Sequence, residues 1–265
     1  MKKLVLFTTL LALLVGCSNS TKDNDPWGKI DPNTAPKQSS VLELSMQSTN
    51  MKQSMTYSVW LPAGYDETKT YPFFYLLHGY EYGDQSRLDR CWLDKGNAKY
   101  IADTYMKSVN AVPMIIVMPN GLSSFYMGDY ETYFQEELIP KVEKDFHGNG
   151  KRAIGGLSMG GYGTLYHALK YPEKFTYAYA MSPAADASMS AWITAQQDKS
   201  VFPAFTIEVG LQDYTVDNSK AKSLYNSMVK NGLSCEWIER EGTHDWPFWQ
   251  ACLPKALQKV GEKFK

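Results

Sequence analysis

Two kinds of hydrophobic pattern follow one another along the chain. Residues 41–47 and 53–60 alternate apolar and polar side chains, as two antiparallel strands with one solvated face do. Residues 71–77 form a continuous apolar run, which is typical of a central strand that is buried on both faces. Further strands are predicted at residues 114–118, 153–154, 177–181, 204–209 and 235–240.

Helices are predicted between these strands, at residues 97–108, 130–145, 160–170, 218–231 and 247–264. Pro140 counts against the second helix locally and predicts a kink there. Strands that alternate with helices indicate a mostly parallel sheet with helices on both faces, which antiparallel strands precede here. The predicted fold class is therefore α/β, with a functional site at the carboxyl ends of the strands.

A G-x-S-x-G pattern joins one predicted strand to the helix that follows it, and it runs Gly156-Leu-Ser158-Met-Gly160. A sharp strand-to-helix turn of this kind projects a serine hydroxyl into a cleft, and the two glycines relieve crowding of the backbone. The N-terminus of the helix points its amides at a developing oxyanion. Ser158 is the predicted nucleophile, although the pattern also arises as a Gly-rich turn with an incidental serine.

An acid and then a histidine follow this serine, each directly after a predicted strand. Asp213 follows the strand at 204–209, and His244 follows the strand at 235–240. In this order the three residues match a Ser–Asp–His triad. The histidine would take the serine proton, and the carboxylate would hold the imidazole in the required tautomer.

The other acidic residues and histidines near these positions are given different roles. Asp217 opens a predicted helix, which favours a role as its N-terminal cap. Asp245 adjoins His244 in sequence and is not expected to reach round to its ring. His167 is predicted to pack inside a helix, and His147 is expected to be solvated in a polar turn.

A second oxyanion donor is predicted where the strand at 71–77 ends in His78-Gly79-Tyr80. The backbone amide of Tyr80 would pair with the amide of Met159, because two donors placed where negative charge develops lower the barrier. His78 is expected to brace this loop rather than to transfer protons.

Four segments of the chain form a set: Leu76-Leu-His-Gly79, Gly156-Leu-Ser-Met-Gly-Gly161, Gly210-Leu-Gln-Asp213 and Gly242-Thr-His-Asp-Trp-Pro-Phe-Trp249. The set resembles the esterase D / feruloyl esterase group, from about Val41 to the C-terminus. That group includes acetyl and feruloyl esterases, tributyrin-type esterases, S-formylglutathione hydrolases, siderophore esterases and mycolyltransferases. The resemblance implies an α/β-hydrolase fold without a metal or an organic cofactor. It carries over Ser158, Asp213 and His244 as the triad, and Tyr80 and Met159 as the oxyanion donors.

The first residues have the features of a bacterial export signal. Two lysines precede an apolar run at residues 4–15, which is too short to span a bilayer, and Leu14-Val-Gly-Cys17 resembles a lipobox. Residues 1–16 are predicted to be a lipoprotein signal peptide, followed by lipidated Cys17 and a flexible tether over residues 17–40. The expected location is periplasmic or at the cell surface, anchored to the membrane through Cys17. An ordinary cleaved signal peptide with a chance cysteine is the alternative.

The remaining residues, 41–265, suit one α/β-hydrolase catalytic domain. The formal net charge of −1 gives no reason to expect a nucleic-acid partner. Cys91, Cys235 and Cys252 lie in apolar surroundings, so buried free thiols and one disulfide are equally open. Their spacing fits no zinc site.

Aromatic residues make up 14% of the chain, and four of them are assigned to the substrate pocket. Trp246 and Trp249 open the last helix beside the predicted base, where one is expected to pack and the other to line the acyl pocket. Tyr126 and Trp192 lie on loops or short elements that are expected to rim the cleft. Aromatic walls suit a feruloyl ring or the faces of sugars.

The predicted function is that of an extracytoplasmic serine carboxylesterase that works through an acyl-enzyme. Acetyl or feruloyl esters of plant polysaccharides are expected as substrates by analogy with the family. Siderophore-ester hydrolysis and acyl transfer to an alcohol use the same triad and are alternatives. A non-catalytic lipoprotein that binds carbohydrate is the alternative of another class, which an incomplete triad would favour.

Overall fold

The structure is a computed structural model that describes residues 38–265. In this part of the chain, eight strands form one mixed sheet. The predicted signal peptide at 1–16, Cys17 and most of the predicted tether at 17–40 lie outside the described residues. The strands are β1 (Ser40–Ser48), β2 (Gln53–Leu61), β3 (Tyr71–Leu77), β4 (Ile115–Pro119), β5 (Gly148–Leu157), β6 (Tyr177–Met181), β7 (Ala204–Gly210) and β8 (Cys235–Arg240).

The strand order is β1-β2-β4-β3-β5-β6-β7-β8. β2 pairs antiparallel with both β1 and β4, and all other neighbours in the sheet run parallel. The predicted opening pair is confirmed, with Val41 opposite Trp60. The predicted fold class is confirmed as well.

Helices cover both faces of this sheet. They are α1 (Cys91–Asp94), α2 (Ala98–Tyr105), α3 (Asp129–Thr132), α4 (Ile139–Asp145), α5 (Met159–Lys170), α6 (Ser190–Ala195), α7 (Asn218–Lys230) and α8 (Trp246–Phe264). Short 3₁₀ turns lie at Leu88–Arg90, Pro172–Lys174, Ala187–Met189 and Lys199–Val201. Within residues 38–265, no helix is both long and apolar enough to cross a lipid bilayer.

The helix predicted at 130–145 is divided into three parts. A π-helical segment, Tyr133–Leu138, separates α3 from α4, and Pro140 lies in the first turn of α4. Proline has no N–H to donate, and its ring collides with the carbonyl one turn earlier in a regular α-helix. The wider π turn and the start of a new helix accommodate this residue, which explains why the helix is divided here.

Side chains of β3 alternate between two hydrophobic clusters, one on each face of the sheet. Phe73, Tyr75 and Leu77 belong to the cluster that α5 and α7 complete. Phe74 and Leu76 belong to the cluster that α2 and α8 complete. Because β3 is buried on both sides, its end is a rigid support for the loop that follows it.

Candidate active site

Ser158 occupies a sharp turn between β5 and α5, with φ of 53° and ψ of −115°. A positive φ is unfavourable for a residue with a side chain, so the surrounding structure must hold it. The Ser158 N–H donates to the Met181 carbonyl at 2.9 Å, and its own carbonyl accepts from the N–H of Ala184 at 3.1 Å. The serine hydroxyl is thus presented from a strained but fixed backbone.

The glycines on both sides of Ser158 allow this turn to close. A Cβ on Gly156 would lie 2.7 Å from the backbone of Gly160, and a Cβ on Gly160 would lie 2.5 Å from the Leu77 carbonyl oxygen. Both distances are shorter than real Cβ contacts. The predicted requirement for these two glycines is therefore confirmed, because backbone occupies the space that a side chain would need.

The structure brings Ser158, His244 and Asp213 into one hydrogen-bonded chain. Nε2 of His244 lies 2.9 Å from Oγ of Ser158, and Nδ1 of His244 lies 2.7 Å from Oδ2 of Asp213. An ionised carboxylate can only accept, so Nδ1 carries the proton and Nε2 is free to accept from the serine hydroxyl. These residues follow β5, β8 and β7, whose carboxyl ends meet at one edge of the sheet.

The carboxyl of Asp213 is fully buried yet remains ionised. Burial by itself would raise the pKa of Asp213, but the hydrogen bond to His244 and the electrostatic interaction with that ring lower it. The N–H groups of Thr215, at 3.0 Å, and Val216, at 3.4 Å, donate to Oδ1. The net result is a pKa for Asp213 below its ordinary value. A fixed negative charge therefore faces Nδ1 of the imidazole.

The other carboxylates near these loops cap helices. Oδ1 of Asp217 accepts the N–H of Ser219 at 3.0 Å at the start of α7, as predicted. Oδ1 of Asp245 accepts the N–H of Phe248 at 3.0 Å at the start of α8. Neither carboxylate has a hydrogen bond to the ring of His244 among the contacts of the described residues.

The loop after β3 lies directly beside the nucleophile. A Cβ on Gly79 would lie 2.5 Å from Cδ1 of Leu157 and 3.4 Å from Cβ of Ser158. Tyr80 follows Gly79, and Met159 is the first residue of α5, where a backbone N–H has no helical partner. The two predicted oxyanion donors therefore belong to segments that border Ser158 on two sides.

His78 holds this loop in place. Its Nε2 accepts the N–H of Gly121 at 2.7 Å, and its Nδ1–H donates to the Gly79 carbonyl at 2.6 Å. Burial lowers the pKa of His78 to about 4, so the ring is neutral at neutral pH. Both ring nitrogens are used structurally, which leaves His78 without a part in proton transfer.

More than half of the chain matches the model of a known protein family. The Esterase family model, described as "Putative esterase", matches residues 48–217. The chain belongs to this esterase family.

Named relatives resemble the esterase over most of its length. An endo-1,4-beta-xylanase/feruloyl esterase of Xylanibacter ruminicola is 28% identical over 238 residues, which are 83% of this chain but 31% of that protein. An acetyl esterase of Caldicellulosiruptor saccharolyticus is 26% identical over 273 residues, or 82% of this chain and 97% of that protein. A solved ferulic acid esterase is 28% identical, with a TM-score of 0.77, and the match covers 86% of this chain and 100% of the other. The esterase is accordingly a carboxylic ester hydrolase on the α/β-hydrolase fold.

The four aromatic residues assigned to the pocket lie at different depths in the esterase. Trp249 is buried and packs edge-on against His244, with ring centroids 4.9 Å apart. Trp246 is half-buried and packs edge-on against Trp249 at 5.3 Å. Trp192 is half-buried on α6 and packs edge-on against Tyr166 at 5.1 Å. Of these three, Trp249 is the one in ring contact with the base.

Tyr126 does not rim the cleft. Its side chain is fully buried, its hydroxyl donates to the His78 carbonyl at 2.9 Å, and its ring lies where a Cβ on Gly163 would be. The expectation that Tyr126 faces the substrate is corrected by this burial. The residue supports the loop after β3 from the core.

The three cysteines of the described part of the esterase are free thiols. Burial raises the pKa of Cys91 to about 12 and that of Cys235 to about 12, and it raises the pKa of Cys252 further. Residues 38–265 contain no group of three or more histidine, cysteine, aspartate or glutamate side chains placed to hold a metal ion.

Sequence reasoning did not single out a buried charge cluster beneath the acid and base. Glu208 on β7 is fully buried and pairs with Arg240 at the end of β8, while the Tyr179 hydroxyl donates to the same carboxylate. Arg240 also donates to the Phe248 carbonyl at 2.7 Å, which ties the start of α8 to β8. The position of Glu208 inside a largely apolar strand was the signal that could have indicated this cluster, because a buried carboxylate requires a partner.

Proposed function

We propose that the chain is an extracytoplasmic serine carboxylesterase that hydrolyses acetyl or feruloyl esters through a Ser158–His244–Asp213 triad. The observation that carries this proposal is the continuous hydrogen-bonded chain from Oγ of Ser158 through both ring nitrogens of His244 to Asp213. A serine hydroxyl is a weak nucleophile until an adjacent base takes its proton, and this arrangement supplies the base and orients it.

In the first half of the reaction, Oγ of Ser158 attacks the carbonyl carbon of the ester while its proton passes to Nε2 of His244. The carbonyl oxygen becomes an oxyanion, which the backbone N–H groups of Tyr80 and Met159 stabilise. The bond to the alcohol oxygen then breaks, and Nε2 gives its proton to the leaving alcohol. Asp213 stabilises the imidazolium that forms between these steps.

In the second half, water attacks the acyl group on Ser158. Nε2 of His244 takes a proton from the water and returns it to Oγ as the carboxylic acid leaves. The same two backbone donors stabilise the second oxyanion. No step requires a metal or an organic cofactor.

The substrate class rests on the relatives and on the N-terminus. Proteins named as an acetyl esterase and as feruloyl esterases resemble this chain, and one of them is also named as an endo-1,4-beta-xylanase. Plant polysaccharides that carry these acyl groups are the proposed substrates. An anchor at Cys17 would hold the enzyme outside the cytoplasm, where such polymers are found.

The reaction is tested with p-nitrophenyl acetate and methyl ferulate, using the wild-type chain, Ser158→Ala and Ser188→Ala. Ser188 is an exposed serine outside the triad, and alanine at this position keeps the backbone N–H that donates to Asp186, so its replacement is a matched control. Turnover of either ester that Ser158→Ala abolishes and Ser188→Ala preserves supports the proposal. Turnover that survives in Ser158→Ala contradicts it.

The location is tested separately by growing cells with labelled palmitate. Label on the wild-type protein and its loss in Cys17→Ser, together with release of the variant from the membrane fraction, would support the anchor. An unlabelled wild-type protein would contradict lipidation at Cys17 without affecting the esterase mechanism.

A further inference from the structure

The loops that carry Asp213 and His244 stay paired beyond the ends of their strands. The N–H of Leu211 donates to the Arg240 carbonyl at 2.9 Å, and the N–H of Gln212 donates to the Gly242 carbonyl at 3.0 Å. These bonds continue the pairing of β7 with β8 past Gly210 and Arg240, the last residues of the two strands. The acid loop and the base loop are therefore held at a fixed separation.

The side chain of Gln212 completes this pairing. Its Oε1 accepts the N–H of Gly242 at 2.8 Å, in the place where a backbone carbonyl would continue a ladder. Its Nε2 donates to the carboxylate of Glu241. One residue thus bonds to the opposite loop through its backbone N–H and through both polar atoms of its half-buried side chain.

The base loop has little freedom to compensate for the loss of these bonds. Gly242 adopts φ of +149°, and a Cβ on Gly210 would lie 2.4 Å from the Gly242 carbonyl oxygen. The backbone of the base loop therefore lies against Gly210 in the space that a side chain would need. Gln212 lies next to Asp213, and Gly242 lies two residues before His244. A change in the separation of Gln212 and Gly242 would therefore move both Asp213 and His244, the two residues that the triad hydrogen bond joins.

We propose that Gln212 is a positioning residue, which sets the distance between the carboxylate of Asp213 and Nδ1 of His244 by joining the two loops. This inference rests on the proposed function, because it assigns Gln212 to the same triad. Its carboxamide is suited to the task, since Oε1 meets a backbone donor while Nε2 meets an acidic side chain.

The first test compares Gln212→Ala with Gln250→Ala in the full chain. Gln250 is a half-buried glutamine that also makes one bond to backbone, from Nε2 to the Lys95 carbonyl at 2.7 Å, but it joins no triad loop. Gln212→Ala is expected to lower kcat on p-nitrophenyl acetate by about ten- to a hundredfold with KM nearly unchanged. Both variants are expected to lose similar thermal stability. Equal kcat in the two variants would overturn the inference.

The second test exchanges the two partners. Gln212→Glu places two carboxylates opposite each other and is expected to lower kcat. In the double variant Gln212→Glu/Glu241→Gln, the carboxylate at 212 again accepts the Gly242 N–H and now also accepts from the amide at 241. Every bond and the net charge are restored, so kcat should return to near the wild-type value. Glu239→Gln removes a charge at an exposed position of β8, two residues before Glu241, and is the control for the charge that Glu241→Gln removes.

A direct readout keeps this test apart from the proposed reaction. The proton on Nδ1 of His244, bonded to a carboxylate, gives a strongly downfield NMR signal whether or not an ester is turned over. This signal should vanish in Asp213→Asn, broaden in Gln212→Glu and return in the double variant. If the wild-type protein cleaves neither ester but the signal follows this pattern among the variants, the proposed function is rejected and the inference is retained. If the wild-type protein is active but its signal and kcat do not change when Gln212 is replaced, the inference alone is rejected. The same holds if the double variant has a kcat no higher than that of Gln212→Glu.

Discussion

The two sides of the candidate active site are held in place by different means. On the nucleophile side, which comprises residues 156–160 and the loop 78–80, backbone packs on backbone where glycines leave room, and one buried ring, that of His78, braces the loop. On the acid–base side, which comprises residues 204–216 and 235–248, polar side chains make the contacts, as Glu208 does with Arg240 and Gln212 does with Gly242. The first side is sensitive to any added atom, and the second is sensitive to the loss of any partner.

The acid–base side should respond most strongly at Asp213. Asp213→Asn removes the negative charge, and an amide favours the tautomer in which Nε2 carries the proton and cannot accept one from Ser158. By analogy with other triads, kcat is expected to fall by about 10⁴-fold, with little change in KM. The measurement is steady-state kinetics on p-nitrophenyl acetate.

Asp217→Asn is the matched control for this change. Asp217 lies four residues further along and caps α7, and asparagine caps a helix as well as aspartate does. Its kcat should remain near that of the wild type. A larger loss in Asp217→Asn than in Asp213→Asn would reverse the assignment of the acid.

The nucleophile side should fail when a single methyl group is added at Gly160. In Gly160→Ala the new Cβ meets the carbonyl oxygens of Leu77 and His78, which belong to backbone and cannot turn away. The free energy of unfolding is expected to fall by about 3 kcal/mol or more. Gly64→Ala is the comparison, because Gly64 has φ of +74° but open space around its Cβ position. It should lose about 1 kcal/mol, so equal losses in urea denaturation would contradict the packing argument.

His78 makes the nucleophile side sensitive to acid. In the unfolded chain His78 has its ordinary pKa of 6.5, whereas in the folded chain burial lowers its pKa to about 4. The charges of Glu81 and Asp89 offset only part of this effect. Between these values the unfolded state binds more protons, so stability is full above pH 6.5 and falls as the pH decreases towards 4. The expected loss from this residue is about 3 kcal/mol.

Urea denaturation at several pH values tests this prediction. His78→Gln keeps an acceptor for the Gly121 N–H but cannot titrate, so its stability should change less between pH 6.5 and 4 than that of the wild type. His167 is also buried, and burial lowers its pKa to about 3, so His167→Gln should flatten the same profile further. An unchanged slope in His78→Gln would show that this ring is not held neutral.

The sequence predicts the reacting residues on both sides of the site better than the contacts that hold them in place. The spacing of Gly156, Ser158 and Gly160 encodes a local turn, and the positions of Asp213 and His244 follow from where two strands end. Most strands and the longer helices are predicted near their observed positions for the same reason, since hydrophobic periodicity is a local signal, but the short helices α1 and α6 are not predicted. The first residues of β5, which are polar and exposed, extend the strand beyond that signal.

What the sequence did not predict depends on contacts between distant residues. Leu122, Phe125 and Tyr126 all have positive φ, and no periodicity tells which way a side chain points from such a loop. Tyr126 was therefore expected at the cleft although it is buried. The contact of Gln212 with Gly242 requires the register of β7 and β8, and two residues that lie thirty positions apart do not encode this register locally.

The smallest of the expected effects lies in the framework of the acid–base side. Glu208→Gln leaves the guanidinium of Arg240 without its buried carboxylate partner. The Arg240 side chain is 30% exposed, so water can reach it. The free energy of unfolding is expected to fall by about 2 kcal/mol, below the usual loss for a fully buried pair. Glu236→Gln breaks a pair with Lys259 in which Glu236 is 47% exposed, and should change stability by less than about 1 kcal/mol. If the two variants lose equal stability, then burial of Glu208 does not distinguish this pair, and buried polar partners do not hold the acid–base side in place.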